Sequence, residues 1–141
     1  MKLFTTDNIE IVFDETVSSG ENPENYQLIA DKEDVQVYYK GENEGNILSS
    51  ASYTFLVVNN SSRNVTVSSD NLSVNDFAVS ASFYTDCAIG KMSNDTLTLY
   101  SSELEKNKIE KIDKIEFSLR CFDSDSYSEI WQEDKVVITM D

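Results

Sequence analysis

The chain has no histidine anywhere in its 141 residues. That removes the commonest general base and the commonest transition-metal ligand. Ser/His/Asp and Cys/His nucleophilic machinery goes with it. Glycine occurs only at positions 20, 41, 45 and 90, so no glycine-rich loop exists to cradle a phosphate. Cations are scarce as well: 11 basic against 26 acidic residues leave a net charge of −15. Nucleic acid is excluded as a partner, because phosphate binding needs a cationic patch, and an anionic lipid surface is disfavoured on the same ground. No run approaches eighteen apolar residues, so the sequence holds no membrane-spanning segment. Met1-Lys2-Leu3-Phe4 passes at once into polar residues and offers no signal-peptide core.

What is present is enough for a core. Hydrophobic content of 40%, with 11% aromatic residues, is too rich for a disordered chain, and the length suits a single domain spanning residues 1–141. The acidity is uneven. Eleven carboxylates between Asp7 and Glu44 face only Lys32 and Lys40, and the one proline, Pro23, lies in the same stretch. This reads as an acidic, irregular segment within residues 14–34 that crosses the surface.

The stretch Ser52–Ser73 defines the architecture. An apolar run, Tyr53 to Val58, meets the turn Asn59-Asn60-Ser61-Ser62-Arg63, and the chain leaves it alternating as Val65-Thr66-Val67-Ser68. Neighbouring antiparallel strands look like this. Period-two alternation recurs at Ile9–Asp14, Val35–Lys40, Phe77–Tyr84, Thr96–Tyr100, Ile115–Arg120 and Val136–Met140. Together these predict an all-β, antiparallel two-sheet sandwich of seven to nine strands. Phe55, Val57, Val65, Val67, Phe117, Leu119 and Ile138 are expected to share one core. One short helix is expected near Ser102–Asn107, with Ser102-x-x-Glu105 as its capping box and Asn107 as its left-handed stop, crossing over between two strands.

Little of the remaining chemistry is specific. Cys87 and Cys121 lie 34 residues apart, both by parity on inward series. Either they are bridged, if their Cα atoms lie within about 7 Å, or they are small buried hydrophobes with free thiols, the preferred reading. The densest polar cluster is Asp123-Ser124-Asp125-Ser126-Tyr127-Ser128-Glu129. Asp123, Asp125 and Glu129 are the weak candidates for a calcium loop, although the glycine of an EF-hand turn is missing and Glu129 falls early. The simpler reading is a polar turn capped by its own Asp side chains. Trp131, beside that turn, reads as a lid on the core rather than a ligand platform. No catalytic residue, cofactor or obligatory metal is assigned.

Several of these segments resemble immunoglobulin-like domains of uncharacterised secreted or lipid-anchored proteins of Gram-positive bacteria. The likeness is carried by Tyr53–Asn59, the Asn59–Val67 turn, Leu72-Ser73-Val74-Asn75, Ser101–Ile109, Ile115-Glu116-Phe117 and Phe122-Asp123-Ser124-Asp125. It spans about Val35 to Met140 and leaves the acidic first third uncovered. The resemblance implies an immunoglobulin-like sandwich outside the cytoplasm, often joined to a membrane-proximal anchor, with a leader not present in this chain. The leading functional expectation is therefore a non-catalytic, extracytoplasmic module acting through protein or cell-envelope contacts. The alternative is a sandwich binding a small ligand or calcium at the Asp123–Trp131 corner. An exposed aromatic cluster or an unpaired edge strand favours the first, and a concave pocket beside Trp131 favours the second.

Overall fold

The computed structural model describes residues 21–43 and 50–140. Nine strands and one short helix account for most of them: β1 Gln27–Lys32, β2 Val35–Asn43, β3 Ser50–Asn59, β4 Val65–Val74, β5 Phe77–Ala78, β6 Tyr84–Cys87, β7 Met92–Tyr100, α1 Ser101–Lys106, β8 Lys114–Asp123 and β9 Glu129–Thr139. One sheet runs β1-β2-β3-β7; the other runs β5-β4-β8-β9, with β6 also paired to β4. Every pairing is antiparallel. The two sheets, β2-β3-β7 with β1 added at one edge and β4-β8-β9 with β5 and β6 on the far side of β4, make the expected all-β antiparallel sandwich. The expected strand at Ile9–Asp14 lies outside the described residues.

Alternation does what the sequence implies. All seven expected core residues are buried in one cluster, and the aromatic centre is Phe55 stacked on Phe83 at 4.7 Å with Phe117 edge-on at 5.6 Å. Cys87, Cys121 and Trp131 belong to the same cluster. Leu56 faces the other side of β3 and is still fully buried. There Leu56 lies in register between Tyr38 on β2 and Asn94 on β7, and the Lys40 ammonium bonds Asn94 at 3.1 Å and also Glu21.

Three expectations need correction. Gln27–Lys32, inside the stretch expected to be irregular, is strand β1, and a two-residue turn at Glu33-Asp34 ties it to β2. Both turn residues have positive φ (51° and 65°), the type I′ geometry that suits hairpin twist. The strand expected at Phe77–Tyr84 is broken into β5 and β6. Asn71, at φ 56°, puts a bulge into β4 opposite the gap, and Phe77 is left exposed beside the Asn75-Asp76 turn. The helix is present one residue early, but its cap differs. Tyr100 is the N-cap and makes no side-chain cap bond. At the other end Lys108 (φ 57°), not Asn107, takes the left-handed position. The amides of Lys108 and Ile109 bond the carbonyls of Glu105 and Leu104, a Schellman closure.

Candidate functional site

The Asp123–Trp131 corner is built as a closed turn. Asp123 ends β8, and its Oδ1 accepts the amides of Asp125 (2.8 Å) and Ser126 (3.2 Å). The main chain closes beneath it, Asp123 N–H to Ser128 O and Tyr127 N–H to Asp123 O, with Tyr127 at φ 60°. The amide bonds, with Arg63 3.4 Å from Oδ2, hold the Asp123 carboxyl below the usual carboxylate range. Glu129 turns away and pairs with Arg120 at 3.3 Å, while Asp125 stays exposed. The three carboxylates are therefore not brought together. Among the described residues no group of three or more Asp, Glu or Cys side chains is placed to hold a metal ion.

Trp131 is 6% exposed and lies in register with Cys121, inside the sandwich. The nearest hollow is a notch of about 190 Å³ lined by Glu33, Asp34, Ser61, Ser62, Arg63 and Ile130. That is smaller than ordinary small-molecule sites, which begin near 300 Å³. The cysteines are free and buried. Cys87 pairs with Val65 and Cys121 with Val67, so β4 runs between them. Two strand spacings, about 9.5 Å, exceed the reach of a disulfide.

The feature that stands open is an edge. Asn59 on β3 bonds its amide to Lys91 O and accepts from Gly90 N–H, so odd-numbered residues of β3 point their backbone groups toward β7. By the alternation of antiparallel ladders, the odd-numbered residues of β7 answer them, and Thr96, Thr98 and Tyr100 direct their N–H and C=O groups the other way. Among the described residues β7 has no strand neighbour on that side. Its upper half is closed against β6: Thr85 and Ser93 hydroxyls meet at 2.6 Å, and Asp95 accepts the amides of Tyr84 and Thr96, both at 2.9 Å. Below Asp95 the two strands separate. A cleft of about 280 Å³ opens between Ser80, Ala81 and Ser82 on one wall and Thr96, Thr98 and Tyr100 on the other.

Two other edges carry guards, β1 and the middle of β9, although Val136–Thr139 at the end of β9 is uncharged like the lower half of β7. Lys32 at the end of β1 reaches the Gln132 carbonyl (3.1 Å) and Glu133 (3.3 Å) on β9. β9 itself carries Glu133-Asp134-Lys135 mid-strand. Charge and cross-bridging are how native sheets protect their borders, and the lower half of β7 has neither. Sequence reading missed this site because no residue type marks it. The available signal was negative: Thr96–Tyr100 and Ser80–Ser82 contain no charged residue.

No protein-family model matches the chain, and no curated protein matches it either.

Proposed function

We propose that the chain is a non-catalytic, extracytoplasmic immunoglobulin-like module, secreted or lipid-anchored in a Gram-positive bacterium, that works by holding another protein. The carrying observation is the unguarded half of β7, an uncharged backbone edge that, among the described residues, lies open beside a cleft, whereas β1 and the middle of β9 are shielded by charge. A free edge is a template for pairing with another chain, and keeping one bare is a liability unless it is used. The Asp123–Trp131 corner supports the ligand-binding alternative less well: the Asp123 carboxylate is engaged by its own turn and Arg63, Glu129 pairs with Arg120, and the Trp is in the core.

The test is made in the host cell. A photoreactive side chain is placed in turn at Thr98, Tyr84, Tyr127 and Val137, all outward positions. The expected result is a discrete protein adduct, lost when intact cells are treated with an external protease. Adducts that persist in protease-shielded cytoplasm overturn the compartment. No protein adduct from any position overturns the contact role.

A further inference from the structure

We propose that the cleft beside β7 takes an extended peptide segment of another polypeptide as an added strand, uncharged where it pairs and cationic at the end that meets Asp95. This rests on the reading of the chain as a protein-contact module and names the kind of partner. Thr96–Tyr100 offers about 17 Å of edge at the usual strand rise. Thr96 N–H is already taken by Asp95. The N–H groups of Thr98 and Tyr100 and the C=O groups of Thr96 and Thr98 remain, four ladder positions on the open side.

The side chains suit such a guest. Thr and Tyr pack well on a pleated surface, and the opposite wall of Ser80, Ala81 and Ser82 leaves room and polar atoms without bulk. Charge marks one end. Asp95 stands at the closed top of the cleft, while Glu103, which accepts the Ser80 amide at 3.4 Å, lines the neighbouring hollow together with Lys106. With a net charge of −15 on the whole chain, a second copy is repelled, and a segment ending in lysine or arginine is drawn in.

The probe is an acetylated, amidated peptide, Lys-Lys-Thr-Val-Thr-Val-Thr-Lys, added at millimolar concentration to the ¹⁵N-labelled full chain. Amide exchange at Thr98 and Tyr100 should slow at least tenfold, while Leu97 and Leu99, already in the β3 ladder, stay unchanged. A peptide of equal charge with prolines replacing the valines should do nothing, because it cannot complete the ladder. Thr98→Pro should abolish the protection while remaining folded, since its N–H faces the open edge. If that variant unfolds, Thr98→Lys serves in its place by repelling the cationic guest. No slowing at Thr98 and Tyr100, or equal slowing by the proline peptide, overturns the proposal. So does a peptide-free dimer that Thr98→Pro converts to monomer, which would make a second copy the occupant. Any of these failures leaves the contact role itself to be judged by the host-cell adducts, which report a partner wherever it binds.

Discussion

The side-chain amide of Asn59 donates to the carbonyl of Cys87 at 2.9 Å, joining the end of β3 to β6 in the opposite sheet. The same nitrogen bonds Arg63 O at 2.7 Å, and Oδ1 accepts the amide and hydroxyl of Ser61 at 2.9 and 2.6 Å. Asn59 is 0% exposed, so each bond is made out of water and every polar atom of the side chain is used. Asn59→Ala would strip two carbonyls of their donor and free the Ser61 turn. The expected loss is about 2–4 kcal/mol in urea unfolding, from penalties of about 1–3 kcal/mol per orphaned buried group. Asn59→Asp should be no milder, because a carboxylate then faces two carbonyl oxygens. A loss below about 1 kcal/mol would mean that the turn holds without this staple.

Phe117 closes the aromatic centre edge-on to both Phe55 and Phe83. Phe117→Ala should cost about 3–5 kcal/mol, the usual range for emptying a buried aromatic site. Phe77→Ala is the matched control. Phe77 is 49% exposed at the β5 hairpin, so its removal should shift stability by no more than about 0.5 kcal/mol. Comparable losses at the two positions would contradict the assignment of faces.

Much of this fold is legible in period-two alternation, because a strand's inward residues must be apolar wherever the sandwich buries one face. Phe55, Val65, Phe117 and Ile138 all land as their parity requires. Turn chemistry is harder to read. Glu33-Asp34 and Asn75-Asp76 make type I′ hairpins without the glycine that normally signals them, so β1 disappears into an acidic stretch. The Asn75 side chain helps compensate, accepting the amides of Asp113 and Lys114 and donating to Lys111 O, which staples its turn to the approach to β8. The helix cap misled because Ser102-x-x-Glu105 has capping-box spacing, while the helix starts a residue earlier at Ser101. The open edge was not legible at all. Which strand ends a sheet is a property of pairing, and Thr96–Tyr100 reads locally like any half-buried strand.

Alkaline stability should be limited by the thiols. Burial pushes the Cys121 thiol up to about 12, with Cys87 adding to the effect, and burial raises Cys87 too. The folded state therefore keeps its protons while the unfolded chain releases them from about pH 8.5 upward. Because the native state then binds more protons, stability falls as pH rises from that point toward the raised folded values. Tyr53 and Tyr39, both shifted upward by burial and then by Glu42, add a loss of the same sign above about pH 10. Melting temperature should drop more between about pH 8 and pH 10 in the parent than in Cys121→Ala, whatever that variant loses at neutral pH. Parallel curves would show that Cys121 does not set the alkaline limb.

Asp123 supplies the last prediction. Its carboxylate is committed to the amides of Asp125 and Ser126 and to Arg63, so it serves the turn and leaves no shared pocket with Glu129. A cation that does not bind the native state cannot stabilise it. Melting temperature should therefore be the same in EDTA and in millimolar calcium, and Asp123→Ala should lower it equally in both. The pH dependence follows from the depressed pKa. Asp123 stabilises the fold above the unfolded carboxylate value near pH 4, and that contribution disappears as pH falls through the lower folded value. The difference between parent and Asp123→Ala should thus be full at pH 6 and shrink as the pH falls below the unfolded value near 4. Asp125→Asn, at an exposed position whose amide rather than carboxylate does the bonding, should change neither curve. A calcium-induced rise of several degrees, lost in Asp125→Asn, would reverse this account and make the corner a metal site.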